Sequence, residues 1–347
     1  MPKPINLSAS RGAAILGLSE YSTPLRVWLE IMESRDPGFC ERNNYQLPEF
    51  EYNAPMRWGH AFENAVIELA ERRADTRIVD REFFFKHEIG DHDVLTCHID
   101  GVYKDSAYES FRNGKPTLHE GKTTSAQYFY SAFGEPGTDR VPTPYQIQCQ
   151  HQMICTGAEK VILSVLVFPK RVEEWEAMGW QTYEVQGGGY ILVNPEGTSG
   201  DPDLWASVLD EMGFFHQYVI TPHAELQSLM LEKYRRFWED NVLKATPPEP
   251  VNYDDIKAIY RDPVGTIVAS PEVERLYAEY KNIGAEILPS GPLAKRREQI
   301  KTELIKYMAD TGKITDDDSW DKWVLRGQDG KKLASYGKDK NGALRFR

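Results

Sequence analysis

The run Val161–Phe168 (VILSVLVF) constrains this chain more than any other stretch of it. A strand length of nearly unbroken apolar residues, rather than alternating ones, belongs to a strand covered on both faces. Such a strand needs a packed layer above it and another below. Helical segments on either side can supply them. Upstream, Trp58, Phe62, Val66 and Leu69 recur at helical spacing. Ser8 and Ser10 precede an apolar run and predict a helix start within 8–16. Thr143-Pro144 predicts a helix with Thr143 as its N-cap, running to Thr156 and stopped by Gly157. Residues 78–86 and 94–103 read as strands, and residues 118–122 as a further short one. Helix, meander, helix and buried strand together define an α/β core.

Pro247, Pro248 and Pro250 follow a helical stretch and mark the best boundary, because clustered prolines stop helices and stiffen linkers. They separate a domain over residues 1–246 from an accessory region over residues 251–347. In the latter, Val273, Leu276, Tyr280, Ile283 and Ile287 form a heptad seam. Residues 288–292 (LPSGP) break it, and Ile300, Leu304, Tyr307 and Met308 form a second stripe. The pattern predicts a helix hairpin over 271–309. A small β-meander over 320–347 follows, its turns at Asp329-Gly330 and Asn341-Gly342. Two helices and a meander bury little surface, so the region is expected to lean on the first domain.

Charge is unevenly spread. The net charge of −12 argues against a general polyanion binder. Residues 1–246 hold 23 Lys and Arg against 36 Asp and Glu, whereas residues 247–347 hold 18 against 17. Residues 331–347 carry Lys331, Lys332, Lys338, Lys340, Arg345 and Arg347 against Asp339 alone. An acidic protein can still hold DNA in a local basic groove. No apolar run approaches the ~18–20 residues of a membrane span, and the N-terminus lacks an apolar signal core. The four cysteines, Cys40, Cys97, Cys149 and Cys155, read as reduced thiols. The expectation is a cytoplasmic protein with no membrane partner.

The chemistry-bearing residues lie in order: Glu63 on the first long helix, Asp100 ending a strand, Glu120 and Lys122 on the next strand, Gln148 on the following helix. Strand side chains alternate, so Glu120 and Lys122 project from one face, and Gly121 between them projects nothing. A carboxylate and an ammonium one pleat apart suit a metal and an activated water side by side. Asp100 can reach the same point, and with the Gly121 carbonyl these groups form an all-oxygen donor set. That suits Mg²⁺, with Mn²⁺ as substitute; no Cys/His set competes for zinc. Glu63 shares its helix flank with Ile67 and Ala70, which predicts a half-buried carboxylate in need of a partner.

Asp100, then nineteen intervening residues, then Glu120-Gly121-Lys122 resembles the PD-(D/E)xK nuclease signature. The segments Leu7–Ser10 with Ile15–Gly17, Trp58–Glu63 (WGHAFE) and Ile147–Met153 (IQCQHQM) narrow the resemblance. They are similar to the YqaJ-like viral recombinase family, the phage lambda exonuclease family, over roughly residues 5–245. The resemblance implies a PD-(D/E)xK restriction-endonuclease-like core, a central mixed sheet flanked by helices. It implies a metal-dependent exonuclease, 5′→3′ on linear double-stranded DNA, leaving 3′ overhangs for recombination of the phage type. A single-strand annealing protein would be its partner and a ring trimer its assembly. On this reading Asp100 and Glu120 are metal ligands with the Gly121 carbonyl, Glu63 supports the metal or its waters, and Lys122 orients or activates the attacking water. Gln148 completes the site, and Ser10, with Arg11, holds the 5′-phosphate of the DNA end. Ile99 stands where the family usually has proline. No clear counterpart exists for an upstream arginine at the 5′ end; Lys3 or Arg11 are substitutes.

Two other functions fit the same fold: a catalytically silent DNA- or partner-binding module, and a structure- or sequence-specific endonuclease. The cysteines lack the tight downstream trio of an iron–sulfur nuclease. His151 reads as structural, Trp58 and Phe62 as core, and Lys170-Arg171 as either a phosphate contact or a solvated turn.

Overall fold

The computed structural model describes residues 5–47, 49, 51–104, 115–186, 189–286, 291–311 and 322–347. The chain is mixed α/β and divides into two units. The first comprises Asn6–Glu20 and Phe50–Trp238. The second comprises Tyr21–Glu49 and Glu239–Arg347, with Ile5.

In the first unit the strands are β1 (Leu7–Ser8), β2 (Ile78–Val79), β3 (Phe83–Ile89), β4 (His92–Ile99), β5 (Gly101–Tyr103), β6 (Thr117–Ser125), β7 (Lys160–Phe168), β8 (Gln181–Val185), β9 (Gly189–Val193), β10 (Ser199–Gly200) and β11 (Phe215–Ile220). The main sheet has the order β11-β7-β6-β5-β2. Only β6 and β7 run parallel in it. Two smaller sheets, β1-β4-β3 and β10-β9-β8, complete the unit. Strand β7, the run from which the fold was read, lies inside the main sheet, and its side chains divide by parity. Leu166 and Phe168 enter one apolar cluster; Val161, Leu163, Val165 and Val167 enter the other.

Helix α1 (Ala54–Ala74) covers the first face. Asn53 caps it by accepting from the Met56 N–H at 3.1 Å. Trp58 and Phe62 are fully buried and meet Phe168 edge-on, with centroids 5.5 and 5.1 Å apart. Each such ring contributes roughly 1.5–3 kcal/mol by leaving water. Helix α2 (Thr143–Thr156) brings Ile147, Cys149 and Met153 inward. Gly157 ends it in the left-handed region, as expected, with φ 71° and its N–H donating to Met153 O at 2.9 Å. Thr143 is the first helical residue rather than the cap, because Pro142 occupies the cap position and offers no side-chain acceptor.

The fold departs from the sequence reading in two further places. The helix expected over 8–16 is β1, a turn of 3₁₀ helix at Ala9–Arg11 and a single α turn at Gly12–Ile15. The parallel pairing Leu7↔Leu95 and Ser8↔Thr96 draws Ser8 into a strand, and it makes no side-chain cap. The strands expected over 78–86 and 94–103 are each broken in two. Strands β2 and β5 pair in the main sheet, β3 and β4 in the small one. Asp80 and Glu82, with φ of 52° and 56°, turn the first path; the Asp100–Gly101 junction turns the second.

Fully buried Gln150 fixes α2 to the loop that leads into helix α3 (Ala224–Arg236). Its Nε2 donates to Thr221 O at 2.8 Å, and its Oε1 accepts from His223 N at 3.0 Å and Gln227 Nε2 at 2.9 Å. Removing it leaves buried partners unsatisfied. We expect Gln150→Ala to cost about 2–4 kcal/mol in urea unfolding; a change below ~1 kcal/mol would show that the loop supplies its own partners.

The second unit has its own core. Strands β12 (Gly265–Val268), β13 (Lys322–Arg326), β14 (Lys332–Lys338) and β15 (Leu344–Phe346) form a sheet in that order, β12 parallel to β13 and the rest antiparallel. The turns carry Gly330 and Gly342 in the left-handed region. Helices α4 (Pro271–Glu286) and α5 (Pro292–Thr311) are joined by the Arg296–Glu279 ion pair at 2.8 Å. Val273, Ile283, Ile300, Leu304 and Met308 are buried together with Leu325 and Tyr336. Ile287, assigned to the same seam, lies outside the described residues. Strand β12 was not foreseen, nor was the contribution of residues 21–49. The helix Pro24–Arg35 buries Trp28, whose Nε1 donates to Asn241 O at 3.0 Å, and the Thr23 hydroxyl donates to Asp255 Oδ1 at 2.7 Å. A segment that local reading places in the domain over 1–246 thus packs with residues some two hundred positions later. Among the described residues no helix is long and apolar enough to cross a membrane.

Candidate active site

Strand alternation on β6 sends Glu120 and Lys122 to one face. The Lys122 ammonium is paired with Glu120 Oε1. Helix α2 closes over the pair. Gln148 Nε2 donates to Glu120 Oε1 at 2.5 Å, and Gln152 Nε2 donates to Oε2 at 2.6 Å. Positions 148 and 152 are one helical turn apart and share a face, so the helix presents two amides to one carboxylate. Glu120 is 1% exposed, and three donors hold it. Gln152 is the residue that sequence reading missed. The signal for it was the i, i+4 spacing from Gln148.

Asp100 joins from the junction of β4 and β5, accepting from the Gly121 N–H at 2.7 Å through Oδ2. The switch between sheets explains its position. Strand β4 ends at Ile99 in the small sheet, and β5 begins at Gly101 in the main sheet beside β6. Gly101 makes the crossing possible, since a Cβ there would run into Ile78 Cγ2 and lie 3.2 Å from the Val79 carbonyl oxygen. Gly121 has a similar constraint: a Cβ would sit 3.1 Å from Val66 and 3.6 Å from Asp100 Oδ2.

The charges are arranged out of balance. Two carboxylates, Asp100 and Glu120, face one ammonium. Burial pushes Asp100 up to about 7, and Glu120 adds to the shift. Burial alone would lower Lys122, but Glu120 and Asp100 outweigh it and hold the ammonium above its ordinary range. Glu63 on α1 is also raised, first by burial and then by Glu82 and Glu120, against the lowering effect of His60. It reaches the group through charge, and no hydrogen bond joins it to Asp100, Glu120 or Lys122 among the described residues.

Among the described residues no group of three or more His, Cys, Asp and Glu side chains stands ready to hold a metal. The convergent set is smaller, the carboxylate oxygens of Asp100 and Glu120, with the Gly121 N–H donating to Asp100. Its chemistry fits a hard divalent cation, because a proton on Asp100 near neutral pH marks a site short of positive charge.

The remaining candidates separate plainly. Ser10 and Arg11 lie near one another around Ser8, whose Oγ is 3.2 Å from Ser10 Oγ and accepts from Arg11 Nη1 at 3.3 Å. His151 is structural: it is buried between Thr96 O, at 3.1 Å, and the Tyr234 hydroxyl, at 3.4 Å, and burial pushes its pKa down to about 3. Arg171 pairs with Glu174 at 2.9 Å on an exposed turn.

Residues 3–159 match the YqaJ-like viral recombinase domain. Two crystal structures of LHK-Exo from Laribacter hongkongensis, one described as an alkaline exonuclease and one as a complex with dAMP, align over 69% of this chain and 88% of theirs, at 14% identity and a TM-score of 0.42. A phage-related exonuclease from Haemophilus somnus 129PT aligns over 70% of this chain and 96% of its own, at 11% identity and a TM-score of 0.38. No curated protein matches the chain.

Proposed function

We propose, on the premise that residues 3–159 are a YqaJ-like viral recombinase domain, that this protein is a metal-dependent deoxyribonuclease of the PD-(D/E)xK kind. It digests linear double-stranded DNA from its ends, 5′→3′, and leaves 3′ single-stranded overhangs. The observation that carries this reading is the cluster of Asp100, Glu120 and Lys122 under two glutamines. A silent DNA-binding module has no use for two buried carboxylates that share a single ammonium.

Asp100, Glu120 and the Gly121 carbonyl would hold Mg²⁺, or Mn²⁺ in its place, with Glu63 supporting from α1. When bound, the ion supplies the positive charge that makes water acidic at the site and offsets charge building on the phosphate. The chain's own residues do the rest. Glu120 and Asp100 hold Lys122 as an ammonium in the metal-free protein. Lys122 orients the attacking water and stabilises charge on the attacking side. Glu120 fixes the direction of that ammonium, and Gln148 and Gln152 fix Glu120. Ser10 and Arg11 would hold the 5′-phosphate of the DNA end. The family resemblance brings with it a single-strand annealing partner and a ring trimer, and residues 251–347 would modulate DNA engagement without contributing a catalytic group.

One assay tests this reading. With Mg²⁺, linear duplex bearing a 5′-phosphate should be degraded, linear duplex with a 5′-hydroxyl should react at least about tenfold more slowly, and closed circles should survive. A label at the 3′ end should be lost last. Cut circles would favour the endonuclease reading, and activity in the presence of a chelator would remove the metal mechanism.

A further inference from the structure

The second unit contains a cleft of about 480 Å³ lined by Lys257, Arg261, Lys338 and Arg345, with the neutral donors Gln46 and Asn341. None of its lining residues is acidic and none is aromatic. Three elements far apart in sequence assemble it: the segment after the helix Phe39–Arg42, the helix Tyr253–Ile259 with its exit, and the β14–β15 turn.

The cleft is built in advance. The Gln46 N–H donates to Ala258 O at 2.8 Å, which fixes one wall to the other. Asp339 Oδ1 accepts from the Asn341 and Ala343 N–H groups, at 2.9 and 3.0 Å, which locks the turn. The cations do have carboxylate neighbours: Lys338 pairs with Asp262 at 2.6 Å, Arg345 with Asp339 at 3.4 Å and Lys257 with Asp254 at 2.5 Å. Arg261 also acts on Asp262. None of these acids lines the cleft, and surface pairs of this kind are weak enough to re-form around a stronger anion.

We infer that this cleft is a binding site for the sugar-phosphate backbone of a nucleic-acid strand. Two guanidinium forks and two ammonium groups match phosphate oxygens. Without an aromatic ring in the lining there is nothing for a base to stack on, so the ligand is a polymer backbone read without sequence, not a free nucleotide. The existence of the anion site is independent of the nuclease reading; the identity of its ligand rests on that reading.

The test uses the full chain in a chelator, so that no cleavage occurs, and a fluorescein-labelled duplex oligonucleotide followed by anisotropy from about 50 to 300 mM KCl. The variant is Arg261→Gln with Arg345→Gln, both surface changes, and its melting temperature should match the parent. Its affinity should fall at least about tenfold at 150 mM salt, and the slope of log K against log salt should become shallower by about 1–2, because each duplex phosphate contact contributes ~0.9. Unchanged affinity and slope would overturn the proposal. An equal loss of binding to poly-glutamate would also overturn it, by showing a generic anion site. A parent that binds through this cleft but never degrades DNA would sink the nuclease reading and leave the site standing. A parent that degrades DNA while the variant binds normally would do the reverse.

Discussion

Replacing Lys122 with alanine should reduce DNA hydrolysis by about 10³-fold and leave metal binding in place. The ammonium is not a ligand, and its absence removes a charge that competes with the cation for Glu120. Mg²⁺ or Mn²⁺ titration calorimetry should therefore show affinity equal to or above that of the parent. Glu120→Gln and Asp100→Asn should lose hydrolysis to a similar extent and also lose the calorimetric signal. The metal-free Lys122→Ala protein should be less stable by roughly 3 kcal/mol, because Glu120 stays buried with only two amide donors. Assays at saturating Mg²⁺ separate that penalty from catalysis. Full activity in Lys122→Ala, or abolished metal binding, would remove the role assigned to it.

Asp100→Asn should make the metal-free protein more stable at alkaline pH, an inversion of the usual effect of deleting an aspartate. The folded pKa of Asp100 is about 7 against an ordinary value of 3.8, so the folded chain holds this proton more tightly than the unfolded chain does. The carboxylate is neutral and harmless below about pH 4. From there its ionisation progressively costs stability, and the cost is complete above about pH 7. A displacement of that size is worth roughly 2–4 kcal/mol. The asparagine amide can still accept from Gly121 N–H and never ionises. Melting in a chelator should show the variant level with the parent at pH 4.5 and about 5–10 °C above it at pH 8. The comparison cancels His151 and the buried His119, both pushed down to about 3 by burial, which destabilise parent and variant alike as pH falls. Added Mg²⁺ should reverse the order at pH 8 by stabilising the parent alone. A constant difference across pH would mean that Asp100 is solvated and ordinary.

Local pattern carried much of this fold and less of its assembly. Strand β7 was legible because an apolar run has one physical explanation when helices flank it. Glu120 and Lys122 were legible because strand parity is rigid, and Gln148 because α2 begins and ends at recognisable signals. The breaks at Asp80–Glu82 and Asp100–Gly101 were hidden. Each half of the path has good strand composition, and only pairing with a different sheet on either side reveals the switch. Gln152 was visible at helical spacing but had no reason to be chosen until its partner was placed. The strand at Leu7–Ser8 could not be read, since two residues owe their conformation to Leu95 and Thr96. The basic cleft was half visible. Lys338 and Arg345 stood in a cationic stretch, but Lys257, Arg261 and Gln46 join them only through tertiary packing.

The division of the second unit between residues 21–49 and 239–347 has a consequence for synthesis. The ribosome releases the Trp28 helix early, and about 190 further residues must follow before its partners exist. At roughly 5–20 residues per second that is a delay of about 10–40 s. During it the first unit can close, whereas Leu25, Trp28, Leu29 and Ile31, all buried in the finished protein, stay in contact with water or with a chaperone. A gene shortened at residue 238 makes that wait permanent. It would yield a chain with the Asp100, Glu120 and Lys122 cluster intact and an orphaned apolar helix, prone to aggregate for a reason unrelated to its chemistry.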